Sequence, residues 1–319
     1  MNEAPPRRSI VGYLLVSTAA ICWGFWPYFL RNAESRGGVD SALESVIAMG
    51  LLGLVSAALV RADRVRVRAD RRAWLGIGWL AVGDALNVLF FFRAYQTTTV
   101  AIAVLSHYLA PIFIAVAAPL VLGERADRRT SLAVLISFSG LVFLLEPWRS
   151  HASPSLALGA TFGAASAFFY ASNVLVTKRL VPVFSGSEMT FYHSLLATPL
   201  LALMVPHGAW QAVDAHALHW LLAGSLICGA FPGLFFVWGL RSIAASRAAT
   251  LTLLEPLVAV LVVGVFLFGE RLNFFGIVGG SFILTGAVLV LSRSSRQSSN
   301  EPILGNTASS TTPAQINDE

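Results

Sequence analysis

The chain has 319 residues, of which 56% are hydrophobic and 12% charged, against roughly 25% charged residues in an ordinary globular domain. With a mean hydropathy of +0.70, this composition excludes a soluble protein built round one buried core. The formal charge of +5 does not indicate a nucleic-acid partner, because the arginines lie in short connections between apolar blocks and not on one soluble face.

Ten apolar blocks follow one another, at residues 10–30, 41–60, 74–94, 98–122, 131–147, 156–176, 189–205, 217–240, 247–268 and 273–292. Most approach the 20 residues that carry a helix across about 30 Å of hydrocarbon. The first follows Arg7 and Arg8 and so imitates a signal peptide, but Ile10 to Leu30 is longer than such an apolar region, and nine more blocks follow. It reads as an uncleaved first helix. The connections are short and leave no room for a catalytic domain outside the bilayer. Residues 1–9 form a short leading segment, and the Ser/Thr/Asn-rich stretch 293–319 reads as a disordered tail. With an even number of spans and the N-terminus inside, 17 basic residues fall on the inner side and 5 on the outer. The positive-inside rule therefore predicts a multi-pass protein of the plasma (inner) membrane with both termini cytoplasmic.

The chain also resembles itself at a period near 146 residues. Gly12–Ser35 lies on Gly159–Pro182, Ala101–Pro111 on Ser246–Pro256, and Gly123-Glu124-Arg125 on Gly269-Glu270-Arg271. Each copy holds five helices, an odd number, so the copies must run upside down relative to one another. Inverted repeats of this size are typical of secondary transporters. The expected fold is an all-α integral membrane protein of about ten helices in two inverted repeats, residues 10–147 and 156–292. For Gly-Glu-Arg the plain reading is a helix end followed by a carboxylate at the positive end of the next helix.

Trp23-Gly24, Pro111 followed by Gly123-Glu124-Arg125, and Glu255-Pro256 followed by Gly269-Glu270-Arg271 resemble the EamA type of the drug/metabolite transporter superfamily. The resemblance spans residues 10–292. It implies two inverted five-helix repeats, cytoplasmic termini, and transport of small metabolites, often by export. The first repeat departs from the pattern with Ala110 where the second has Glu255, and the second helix offers Glu44 in place of a frequent arginine.

Ionisable groups inside hydrocarbon cost roughly 2.5–3.5 kcal/mol on insertion scales, so those that remain usually face a cavity or a partner. Glu255 leads the candidates, since Pro256 beside it frees a backbone carbonyl; its competing role is hydrogen-bonded packing between helices. Asp84 and Asn87 share one face of the third helix, and His107 and Tyr108 occupy the fourth. Trp23, Trp26, Tyr170 and Trp238 would line a central cavity, with interfacial anchoring or packing as the alternative. Ser172 and Asn173 could add hydrogen bonds. Glu44 and His193 rank behind these, and Pro111 and Pro256 are helix-break candidates together with Pro27 and Pro232.

No P-loop, HExxH or GxSxG constellation occurs and the six histidines are dispersed, so no enzyme, cofactor or metal is expected. Cys22 and Cys228 read as small buried apolar residues. Gly159 and Gly163 read as a close helix-packing pair. The expected partners are the lipid bilayer and a small solute, with protons as the candidate coupling ion. The rival readings are a membrane sensor or assembly partner of the same fold, and a lipid enzyme, whose acid-base or nucleophilic constellation is missing.

Overall fold

The computed structural model describes residues 6–33, 39–62, 69–124, 128–150, 153–271 and 273–299, and these contain helices and no strand. Ten segments follow the chain: α1 (Ser9–Ala33), α2 (Ser41–Leu59), α3 (Arg71–Thr97), α4 (Val100–Leu122), α5 (Arg128–Arg149), α6 (Pro154–Leu180), α7 (Gly186–Ala202), α8 (Ala215–Leu240), α9 (Ala245–Leu267) and α10 (Phe274–Ser299). Among the described residues, nine of the ten are long and apolar enough to span a bilayer. The remaining one, α7, has 17 residues and so a length of roughly 25 Å, at the short end of the spanning range.

Local chemistry sets the boundaries. Asp40, Asp70, Ser153 and Asp214 each accept a hydrogen bond from the backbone N–H of a first-turn residue, as N-caps do. Helix α3 thus starts at Arg71 and α8 at Ala215, ahead of their apolar blocks. Ser185 and Glu188 form a reciprocal capping box, which opens α7 at Gly186 although the block opens at residue 189. Helix α10 runs to Ser299, so residues 293–299, expected to begin the tail, carry helical backbone. Residues 300–319 lie outside the described ones, as does Arg125 of the first Gly-Glu-Arg.

Each of the four prolines singled out in the sequence sits just after an irregularity. Phe25 interrupts α1 ahead of Pro27, with Phe25 N bonded to Cys22 O and Tyr28 N to Phe25 O. Tyr108 and Leu109 interrupt α4 ahead of Pro111, and Leu253 interrupts α9 ahead of Pro256. A π-helical stretch, Ser225–Ala230, precedes Pro232 in α8. Proline lacks the N–H that would bond four residues back and crowds that carbonyl, so the helix loosens on its N-terminal side. A second π stretch, Ala259–Leu267, has a register cause. Pro256 to Gly269 is thirteen steps, whereas the matching Pro111 to Gly123 is twelve. Bonds from i to i+5 hold one more residue per turn than those from i to i+4, so the π stretch absorbs the extra residue. Gly123 and Gly269 then end their helices alike, at φ 65° and 68°, in the left-handed region that glycine tolerates.

The packing repeats itself under exchange of the two halves. Helix α1 lies against α8 and α9, and the exchanged contacts, α6 against α3 and α4, are both present. The pairs α2 with α7, α4 with α9, and α5 with α10 exchange into themselves. That is the signature of two five-helix repeats related by a two-fold axis in the membrane plane. Small residues bring the backbones together. A Cβ on Gly140 would meet the Gly279 carbonyl of α10, and one on Gly12 would meet Ser242 and the Gly239 carbonyl. Gly159 and Gly163 press on Thr98 and Ser106, so this pair packs helices together, as expected. Large apolar side chains such as Leu120, Leu203 and Phe266 remain bare on the outside, which suits lipid as the solvent.

Candidate functional site

The polar residues of the apolar helices converge about halfway along them. Asp84 in α3 accepts a 2.8 Å hydrogen bond from Asn173 Nδ2 of α6, and the same amide donates to Leu80 O at 3.0 Å. On the other side of the carboxylate, His193 Nε2 of α7 approaches Asp84 Oδ2 to 2.5 Å, with both side chains largely buried. This contact is an ion pair whenever the imidazole is protonated. Gly83 makes room for Asn173: a Cβ there would run into its amide.

One turn further along the same face of α3, Ser166 of α6 donates to Asn87 Oδ1 at 2.7 Å and lies 2.8 Å from His107 Nδ1 of α4. With its one proton directed to Asn87, the hydroxyl can only accept from the imidazole, so this orientation puts the His107 proton on Nδ1. The His107 ring is 4.7 Å from Phe91, 5.6 Å from Tyr108 and 5.5 Å from Tyr170.

Glu255 of α9 faces this aromatic group from the opposite repeat. The Tyr108 hydroxyl hydrogen-bonds its carboxyl group, and Tyr95 and Tyr170 lie within electrostatic range of it. Tyr170 lies within electrostatic range of Asp84 as well. Glu255 is partly buried among these helices. Next to it α1 comes close, since a Cβ on Gly24 would strike Val258 and the Glu255 carbonyl. Trp23, the preceding residue, packs on Phe236 at 5.4 Å.

The structure therefore brings Glu255, Asp84, Asn87, His107, Tyr108, Tyr170 and Asn173 together, with Trp23 at the edge. Trp238 is not among them. It sits at the end of α8 and lines a shallow cleft of about 400 Å³ with Leu59, Ala62 and Arg241, because α8 ends only two residues later, at Leu240. Trp26 donates from Nε1 to Glu44 and ties α1 to α2, while Ser172 accepts from Trp79 at 2.8 Å towards the outer face. His193, ranked low from the sequence, belongs to the centre, as do Ser166 and Tyr95. The signal for His193 was its position, the eighth residue of the 17 in α7, where an imidazole inside an apolar helix asks for a partner. Among the described residues no group of His, Cys, Asp and Glu has a metal-binding arrangement, and both cysteines are free.

The family model of the EamA-like transporter family matches twice, at residues 10–146 and 157–292. A protein of Archaeoglobus fulgidus, named only as an uncharacterized transporter, is 31% identical over 282 residues, covering 87% of this chain and 95% of its own. A riboflavin transporter of Rhizobium johnstonii is 26% identical, covering 91% of each chain. A riboflavin transporter of Vibrio cholerae is 32% identical over 117 residues, 36% of this chain and 37% of its own. One solved crystal structure superposes with a TM-score of 0.72 at 20% identity, covering 88% of this chain and 98% of that one, which supports the fold. With both repeats matched, the chain belongs to the EamA-like transporter family.

Proposed function

We propose that this transporter moves a small amino-acid-like or drug-like solute out of the cell by alternating access around the midplane group of Glu255, Tyr108, His107, Tyr170 and Asp84. The observation that carries the reading is the meeting of polar side chains from both repeats, α3 and α4 of the first with α6, α7 and α9 of the second, at the middle of an otherwise apolar bundle. Aromatic rings beside carboxylates suit a flat or amine-bearing solute, through stacking and cation–π attraction. Riboflavin, the substrate in the names of two relatives, belongs in the test panel for its flat ring system. Protons are the proposed coupling ion, since Glu255 is a carboxyl group inside the membrane-spanning bundle. On this reading the termini are cytoplasmic and the membrane is the plasma (inner) one; the excess of basic residues on one side supports the orientation.

The test is flux in proteoliposomes across amino acids, nucleosides, cationic drugs and riboflavin at two pH gradients, with Glu255→Gln beside the wild type. The reading expects flux of one solute class that loses its pH dependence in Glu255→Gln. No flux of any class from well-folded protein would turn the reading to the sensor or assembly partner.

A further inference from the structure

The repeats are related by symmetry, but the two ends of the bundle differ. At the end where both termini emerge, the halves are tied together. Glu124, just after α4, accepts from the Ala245 amide at the start of α9, at 3.0 and 3.1 Å from its two oxygens. Arg179 of α6 donates to Val121 O at the end of α4, at 2.7 Å from Nη2 and 3.2 Å from Nε. Arg247 of α9 donates to the Tyr13 hydroxyl of α1 at 2.9 Å. Lys178 of α6 donates to Leu240 O and Ile243 O, at the end of α8.

For three of these four ties the repeat supplies counterparts at the far end: Glu270 for Glu124, Val100 for Ala245, Arg31 for Lys178 and Asn32 for Arg179. None makes the matching contact among the described residues. Glu270 lies 3.5 Å from Arg31, both 61% exposed, and not on the Val100 amide. Arg31 stacks over Phe268 at 4.1 Å and does not reach the end of α3. Asn32 bonds Tyr28 O within its own helix. Val100, at the start of α4, is 59% exposed, and Tyr95 near the far end of α3 is exposed as well.

We propose that Glu124 and Glu270 are paired gate residues of the transport cycle, each capping the helix opposite in turn, and that this structure is the state shut at the termini end and open at the far end. In the other state Glu270 accepts from the amide of Val100, Arg31 takes the carbonyls that end α3, and Glu124 releases Ala245. A carboxylate on a helix N-terminus is a charge-assisted, dipole-supported contact, strong enough to set a two-state balance and exposed enough at each end to break. The π stretch of α9 keeps Glu270 in the mirror register despite the extra residue before it. The inference rests on the alternating-access reading.

The experiment needs no substrate. In a background with Cys22→Ser and Cys228→Ala, single cysteines go at the repeat counterparts Ser246→Cys and Ala101→Cys. Their labelling by a maleimide-polyethylene glycol reagent is timed on purified protein in detergent. Glu124→Gln is expected to speed labelling at 246 and slow it at 101, by on the order of tenfold for the loss of one charge-assisted hydrogen bond. Glu270→Gln is expected to slow labelling at 246. Faster labelling at 246 with no change at 101 would mean local fraying and would overturn the gate, as would Glu270→Gln changing neither rate. If Glu124→Gln does not fold, Glu270→Gln decides alone, since its side chain is 61% exposed. Reciprocal labelling without flux of any solute would leave the gate standing and remove the transporter reading.

Discussion

Asn173→Ala is the most searching single change at the centre. The amide of Asn173 donates to Asp84 at 2.8 Å and to Leu80 O at 3.0 Å from a buried position. Its removal withdraws one hydrogen bond to a charged acceptor and one to a helix carbonyl. In water-soluble proteins such bonds are worth about 1.5–3 and about 1 kcal/mol, whereas between membrane helices measured couplings average about 0.6 and reach about 1.7 kcal/mol. Asp84 also stays behind in low dielectric with one donor fewer. We therefore expect a loss of about 2 kcal/mol, with about 1 kcal/mol of it shared with Asp84→Ala in a double-mutant cycle. Equilibrium unfolding in mixed micelles, driven by added sodium dodecyl sulfate, measures both quantities. A loss below about 0.5 kcal/mol together with no coupling would show that Asp84 gains nothing from α6 and would refute the reasoning.

Three further outcomes are expected. Gly163→Leu should cost more than about 2 kcal/mol and release α6 from α4 in the same unfolding assay, because even a Cβ would collide with Ser106. Trp238→Ala should leave the solute concentration at half-maximal flux within about twofold, since its cleft lies away from the midplane group; an order-of-magnitude rise, about 1.4 kcal/mol of lost binding, would put Trp238 on the solute path. Pro256→Ala restores a backbone donor inside α9 and should raise stability by about 1 kcal/mol while lowering turnover, provided the break at Leu253 bends during transport. Unchanged flux would show that the break is only structural.

Much of this architecture could be read from the residues. The ten blocks, the repeat and the odd number of helices in each copy followed from apolar run length and internal likeness, because lipid forces every spanning backbone to satisfy itself as helix. The Asp84 and Asn87 face was legible for the same reason: three residues along a helix is a fixed rotation, and both side chains reach α6. His193 was undervalued because the start of α7 is set by Ser185 and Glu188, and counting the apolar run alone shifted the helix centre away from the imidazole. Trp238 was expected beside the other aromatics, but its place at the end of α8 puts it on a separate cleft. Glu124 was expected to serve the next helix, but its cap is on α9 of the other repeat; one-dimensional spacing carries no information about which helix folds back beside a turn.

The additional residue of α9 makes a duplicated gene measurably unequal. Helix α4 closes its path from Pro111 to Gly123 in α-helical register, whereas α9 covers the corresponding path through the wider coil of Ala259–Leu267. A single-residue deletion inside that coil, for instance of Val263, would restore ordinary winding without changing the side-chain facing of Glu255 on one side or Glu270 on the other. Deletions are normally ruinous within a membrane helix because they rotate everything beyond them by about 100°. Here α9 carries a site where length and orientation are uncoupled, so copies of the repeat can differ by one codon and still superpose.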